Sequence, residues 1–207
     1  MRLQNKVILV TGSTTGIGQA IARRCAAEGA CVIIHGRNES AGRAMAASLG
    51  ASAAFCPANL ADPSAAPALV NFALATFGRL DGLVNNAADT ARGNLQTTTV
   101  DLFDRIIATN LRAPLLLIQA AFPHLKQSQG SVLNIGSVNA YCGEPNLLPY
   151  SVSKGGLMTL TRNLADALAF DHVRVNQMNV GWTITANENK LKISEGLPPD
   201  WADHPPL

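Results

Sequence analysis

Short apolar runs recur at Lys6–Val10, Cys31–His35, Gly82–Asn85, Ser131–Ile135 and Arg174–Asn179, separated by longer stretches in which apolar residues return every three or four positions. Continuous Val/Ile/Leu runs mark strands buried on both faces, because each side of the pleat then needs an apolar side chain. Connections of this length carry a crossover helix and force parallel pairing. The pattern predicts an α/β fold, a doubly wound parallel sheet in a single domain.

Two helices can be placed within that rhythm. Ile17, Ile21, Ala22 and Cys25 return at helical spacing, and Gly29 supplies a left-handed stop, so the first helix starts inside a glycine-rich loop. A second long helix is predicted from Pro149, whose fixed φ suits a first turn, toward Phe170. After Thr183 the chain turns polar and then proline-rich, so residues 1–183 read as the domain body and 184–207 as a partial lid or tail of the same domain. There is no internal repeat and no low-complexity linker.

Composition narrows the functions open to such a fold. The chain has 207 residues, 47% of them apolar, and a formal net charge of +2 without a basic run, which gives no electrostatic footprint for nucleic acid or an anionic membrane. No uninterrupted apolar stretch reaches the roughly 18 residues that span a bilayer. A cytoplasmic protein with a small-molecule partner is expected. Cys25, Cys31, Cys56 and Cys142 are scattered singly, with no spacing suited to zinc, so no metal is expected and the thiols read as buried and free.

The first candidate chemistry follows the first strand, where TGSTTGIG puts Gly12, Gly16 and Gly18 at a strand-to-helix turn. Glycines there let backbone approach a ligand closely, and helix-start amides with the helix dipole bind a pyrophosphate without a basic side chain. A tight turn that packs helix on strand would look the same; the position after a first strand favours the binding loop. At the end of the second strand, VIIHGRN carries Gly36 and Arg37 where a carboxylate would accept bonds from a ribose 2′-OH. A guanidinium with no carboxylate beside it suits a 2′-phosphate, which predicts NADP(H) in preference to NAD(H).

The second candidate is PYSVSKGG, in which Tyr150 and Lys154 are four residues apart and share one helix face. A free phenol, with a pKa of about 10, exchanges protons poorly near neutrality, and an adjacent ammonium is expected to lower it. Such pairs are commonplace on helices. NIGS adds weight, because it places Ser137 at the far end of the fourth run, at the sheet edge where ligands bind in open α/β folds.

Together TGSTTGIG, NNAA at Asn85–Ala88, Asn110, Ser137 and YSVSK resemble the classical short-chain dehydrogenase/reductase (SDR) family over about residues 6–183. The resemblance implies a seven-stranded Rossmann sheet and a catalytic tetrad of Asn110, Ser137, Tyr150 and Lys154. Ser137 would hydrogen-bond a carbonyl oxygen, Tyr150 would deliver the proton, and Lys154 would also hold the nicotinamide ribose. Asn110 would kink its helix and hold a water linking Lys154 to solvent. Gly12, Ser13, Thr15, Gly16, Ile17, Gly18, Gly36, Arg37, Asn59, Leu60, Asn85, Asn86, Ala87, Ala88, Tyr150, Lys154, Gly181 and Thr183 are the cofactor contacts so implied. The helices bearing Asn110 and Tyr150 would form the interface of a homodimer or homotetramer.

Several departures bear on activity. Ala88 stands where the family commonly has glycine, and Val180 with Gly181 stands where Pro-Gly is usual, with Thr183 matching the usual threonine. The chain stops at Leu207, whereas relatives continue through a further helix and an edge strand. Without them the last strand would be unpaired and part of the sheet uncovered. Val138, Asn139, Cys142, Leu147 and Trp182 form a mostly apolar candidate substrate pocket, suited to a hydrophobic or moderately polar carbonyl or alcohol. Two functional classes stay open: an NADP(H)-dependent oxidoreductase using Tyr150 as general acid and base, and a catalytically idle dinucleotide-binding sensor or scaffold. A methyltransferase with the same glycine loop would give Ser137, Tyr150 and Lys154 no shared role.

Overall fold

The computed structural model describes residues 1–203, apart from the side chains of residues 187 and 202. In chain order the regular elements are β1 (Val7–Val10), α1 (Gly16–Ala27), β2 (Cys31–Gly36), α2 (Glu39–Leu49), β3 (Ala53–Pro57), α3 (Ala65–Phe77) and β4 (Gly82–Asn85). There follow α4 (Val100–Ile107), α5 (Ala113–Ser128), β5 (Ser131–Ser137), α6 (Leu148–Ala167), β6 (Arg174–Val180) and α7 (Ala186–Ser194). The strands form one parallel sheet in the order β3-β2-β1-β4-β5-β6. The winding reverses between β1 and β4, and loops leaving the carboxyl ends of those strands part there to make a crevice.

The strands sit in the sheet as the apolar runs predict, because alternate residues feed two cores. Val7 and Leu9 point into a cluster with Leu69 and Val70 of α3 and Leu117 and Ile118 of α5. Ile8 and Val10 point the other way, to Ala22 of α1 and Met45 of α2. Burying a leucine or valine on either side contributes about 1.5–3 kcal/mol, so exposing these runs in any other register is strongly disfavoured.

The sequence reading misses β3. Its residues are Ala53, Ala54, Phe55, Cys56 and Pro57, alanine or proline at three of the five positions and at most half-buried at the sheet edge. It pairs in register with β2, Val32 opposite Ala53 through Gly36 opposite Pro57. Six strands among the described residues stand against the seven that the family resemblance implies. On β6 the face away from α6 is open, with Met178 56% exposed.

Two further elements bear on the site and the core. Within the predicted lid or tail, α7 follows the last strand, and Trp201 beyond it is 2% exposed. Residues 204–207 of the predicted lid or tail lie outside the described residues. The helical run Val100–Ser128 has a mean hydropathy of 1.3 and is long and apolar enough to cross a membrane, yet Leu117, Ala121 and Leu125 are buried in the core. The thiols are less buried than predicted, Cys25, Cys31 and Cys56 being half-buried and Cys142 exposed, and all four are free.

Candidate active site

The carboxyl ends of the strands open into a cleft of about 690 Å³, within the usual range for a small-molecule site. Gly12, Gly16 and Gly18 form its floor. Gly12 (φ +63°) and Gly16 (φ +56°) are left-handed, a conformation other residues rarely take. Gly18 meets a different demand: a Cβ there would lie 2.4 Å from both the Gly12 carbonyl oxygen and Asn86 Nδ2. Helix α1 begins at Gly16, so its unpaired amides face the cleft.

The loop after β4 is tied to this floor. Thr11 Oγ1 accepts from the backbone N–H of Asn86 (3.0 Å) and Ala87 (3.1 Å), and Asn86 Nδ2 donates to the carbonyls of Thr11 (2.8 Å) and Gly12 (3.1 Å). Asn86, Ala87 and Ala88 line the cleft as predicted. Asn85 does not: its side chain is buried and donates to Asn134 Oδ1 at 2.8 Å, inside the sheet.

At one end of the cleft lie Gly36, Arg37, Asn59 and Leu60. Gly36 has a packing reason, because a Cβ there would sit 2.6 Å from Thr14 Cγ2. Arg37 is exposed on the rim with no carboxylate partner among the described residues. Leu60 reaches the cleft wall but is buried in the core, so its side chain serves packing. Ser13 is a further correction. It is fully buried, donates from Oγ to the Val10 carbonyl (2.7 Å) and accepts from His35 N (3.0 Å), joining β1 to β2 behind the cleft wall.

At the other end Tyr150 and Lys154, from the first turns of α6, meet the end of β5. Ser137 lines the same cavity as Tyr150 and accepts from Asn139 N at 3.2 Å. Lys154 is 2% exposed and donates from Nζ to the Ile135 carbonyl at 2.6 Å, with Nζ 5.6 Å from the centre of the Tyr150 ring. Burial pulls the Lys154 ammonium down to about 8. The Tyr150 phenol is pushed above its ordinary value, chiefly by burial and also by the Glu188 carboxylate, while Ser137 and Arg92 act the other way. The expected lowering by Lys154 is thus absent: the ammonium is spent on a main-chain carbonyl, and desolvation dominates the phenol.

Asn110 falls in a π-helical turn, Ala108–Arg112, between α4 and α5, which is the predicted break in its helix. Its side chain has work that the sequence reading missed. Oδ1 accepts from Asp89 N (2.7 Å), and Nδ2 donates to the Asp89 carbonyl (2.9 Å) and Ser153 Oγ (3.1 Å), which fixes the cleft wall after β4 to α6. His35, also missed, accepts from Gly12 N at Nδ1 (3.0 Å) and lines the cleft. A histidine amid an apolar run carries no signal of such a contact.

A second cavity of about 840 Å³ adjoins Tyr150 and Ser137 and is lined by Val138, Asn139, Leu147, Gly181, Trp182 and Thr183. Of the predicted pocket residues, Cys142 is not brought there; it is exposed and donates its thiol to the Val138 carbonyl. The cavity is more charged than predicted, because Arg92, Glu144, Glu188, Lys192 and Glu195 also line it. Gly181 and Thr183 face this cavity and not the glycine-floored cleft. The threonine facing the glycine loop is Thr185, whose Cγ2 lies 3.5 Å from a Cβ built on Gly16 and whose Oγ1 caps α7 by accepting from Glu188 N (3.1 Å). Among the described residues no cluster of His, Cys, Asp or Glu is placed to hold a metal ion.

A phosphate-sized cradle of helix-start amides, a sheet edge at the winding reversal, and a Ser/Tyr/Lys group at the far end of one cleft define a dinucleotide-type site. The family model described as short chain dehydrogenase matches residues 6–196, and this chain belongs to that family. It is 41% identical over 186 residues to dehydrogenase/reductase SDR family member 4 of Sus scrofa, covering 86% of this chain and 66% of that relative. The chain therefore spans just under two thirds of that relative's length. A short chain dehydrogenase from Burkholderia cenocepacia J2315 in complex with NADP superposes with a TM-score of 0.86 at 37% identity, over 90% of this chain and 78% of that one. The 3-ketoacyl-(acyl-carrier-protein) reductase from Brucella melitensis complexed with NADH gives 0.85 at 33%, over 89% and 78%.

Proposed function

We propose that this chain acts as an NADP(H)-dependent oxidoreductase on a carbonyl or secondary alcohol, with Tyr150 as the proton donor and acceptor. The observation that carries the reading is the single cleft that runs from Gly36 and Arg37, past the glycine floor, to Tyr150 and Lys154. Arg37 is suited to a 2′-phosphate, since guanidinium pairs bidentately with phosphate oxygens. Helix-start amides of α1 suit the pyrophosphate. A bound nicotinamide supplies or removes hydride at carbon.

The chain's own residues then manage the proton. Ser137, held by the bond to Asn139 N, presents its hydroxyl to a substrate oxygen beside the Tyr150 hydroxyl. A phenol raised by burial stays protonated and is a reluctant phenolate; still far more acidic than an alcohol, Tyr150 is suited to protonating an alkoxide, the reductive direction. Lys154, buried and pulled toward neutrality, stands behind it as a group able to exchange a proton near pH 8. Asn110 serves by fixing the Asp89 loop to α6.

A cytoplasmic location is supported by the unpaired cysteines. A homodimer or homotetramer through α4 and α6 is supported by the exposed Val100 and Val152; light scattering that gives a monomer would remove it. For the central reading, calorimetry with NADPH and NADH is paired with NADPH oxidation across a carbonyl panel. NADPH should bind tighter, and Tyr150→Phe should keep that affinity while turnover falls by about a hundredfold or more. NADH binding tighter would refute the role of Arg37, and full activity in Tyr150→Phe would refute that of Tyr150.

A further inference from the structure

Nothing in the reaction requires a histidine, yet His35 stands at the end of β2 in the wall of the cleft, 3% exposed. Both of its ring nitrogens are engaged. Nδ1 lies 3.0 Å from the Gly12 backbone N, and Nε2 lies 3.2 Å from the Ala58 carbonyl oxygen. These partners leave no choice of tautomer: a backbone N–H can only donate and a carbonyl can only accept, so Nδ1 is bare and Nε2 carries the proton. The charge of Arg37, two residues along the chain, opposes a positive imidazole there.

The contact falls on a peptide of the floor that has little room to move. Gly12 is left-handed at φ +63°, and a Cβ on it would lie 2.8 Å from Ala87 Cα. Its N–H is held by His35 and its carbonyl by Asn86 Nδ2 at 3.1 Å, so side chains from either side of β1 clamp the glycine on both sides. Through Ala58 the same ring reaches the loop after β3. The main chain beside it is doubly tied, Ser13 N donating to the His35 carbonyl at 2.9 Å and His35 N donating to Ser13 Oγ at 3.0 Å.

We infer that His35, as the neutral Nε2–H tautomer, is a positioning residue for the dinucleotide: it fixes the spacing of the Gly12 and Ala58 loops, between which the adenosine half would lie. The inference rests on the dinucleotide reading above. By turning the Gly12 N–H away from the cleft toward β2, His35 leaves the anion to the amides at the start of α1. Loss of the ring strands a donor beside Ala87 and frees the loop to take other shapes. Asparagine is the informative replacement, since its Oδ1 occupies the place of Nδ1 and accepts without titrating.

The test is calorimetry with NADPH and NADH at low temperature on wild type, His35→Leu and His35→Asn, with thermal melting measured beside it. His35→Leu should weaken binding of the preferred dinucleotide by roughly tenfold or more, and His35→Asn should restore most of it. If His35→Leu melts earlier but binds as wild type does while folded, the ring is merely structural and the inference is overturned. Wild type that binds neither dinucleotide removes the dinucleotide reading and this inference with it. Long-range ¹H–¹⁵N spectra of the wild type stand apart from any folding defect: a bare Nδ1 is expected, and a protonated Nδ1 overturns the proposal.

Discussion

The two ends of the site are built by different physics. Around the glycine floor, most contacts are buried or partly buried hydrogen bonds between main chain and a side chain: Thr11, Ser13, His35 and Asn86 tie β1, β2 and β4 together within a few residues. Over the second cavity, α7 is held by direct contacts between partly exposed charged side chains and by one aromatic stack. Arg92 Nε pairs with Glu195 at 2.8 Å, Lys192 pairs with the same carboxylate, and Trp182 stacks on Trp201 at 5.0 Å. Buried main-chain bonds are satisfied in one geometry only, whereas exposed ion pairs give little free energy and tolerate many. The floor is thus a fixed template and the α7 segment a cover whose docking is separable from the fold.

The contrast breaks first, and most severely, at Gly18. Gly18→Val puts carbon where the Gly12 carbonyl and Asn86 Nδ2 already sit, each 2.4 Å from the first added atom. Neither neighbour is the end of a flexible chain free to swing away, so the floor must deform. We expect a loss of about 3 kcal/mol in denaturant unfolding and at least a hundredfold loss of NADPH affinity by calorimetry. A variant that binds as wild type does would show the floor to be no template.

Acid supplies the next largest effect. Desolvation holds the folded His35 at about 4 against an ordinary 6.5, so the unfolded chain binds the proton more readily. Its contribution is fully present above about pH 6.5 and is lost as pH falls toward 4, roughly 2–3 kcal/mol in all. Carboxylates titrate in the same range, so the quantity to measure is the difference in unfolding free energy between wild type and His35→Asn at pH 7 and at pH 4.5. That difference should move in favour of the variant on acidification.

How much could be read from the chain follows the same division. Strand runs such as Val7–Val10 and the positions of Gly12, Gly16, Ser137, Tyr150 and Lys154 are visible because burial on two faces and special backbone geometry restrict the residues allowed there. Edge strand β3 escapes notice because half-burial allows Ala and Pro. Ser13 reads as a ligand contact because the motif places it in the loop, while its direction, inward to Val10, is set by tertiary packing. Thr183 and Thr185 are indistinguishable by type, and only the path of the chain over Gly16 selects Thr185. The direction of the Tyr150 shift is hidden from the sequence for a related reason: spacing puts Lys154 on the same helix face, yet its Nζ is committed to Ile135.

The cover can be loosened without touching the floor. Trp201 is buried, stacks on Trp182 and donates from Nε1 to Asn189 Oδ1 at 2.8 Å. Trp201→Ala should weaken the docking of α7 by about 2 kcal/mol, which speeds trypsin cleavage at Lys190 and Lys192 about thirtyfold if local opening precedes cleavage. Global unfolding should scarcely move. A matching fall in the global transition would mean that floor and cover form one cooperative unit.

The smallest effect is the most discriminating, because Arg92 touches both regions. It lines both cavities, pairs with Glu195 and lies 4.0 Å from Glu188, the carboxylate that pushes the Tyr150 phenol up. Arg92→Gln removes an exposed pair worth about 0.5 kcal/mol, so trypsin cleavage in α7 should rise only about twofold. That difference should vanish at molar salt, where charges are screened within a few ångströms. The same change leaves Glu188 unopposed beside Tyr150. The phenol should then titrate higher still, and the alkaline limb of the pH–rate profile should move upward while NADPH affinity stays within about threefold of wild type. An alkaline limb that does not move would show that the charges on α7 do not reach the Tyr150 phenol, and that the cover acts on the site by shape alone.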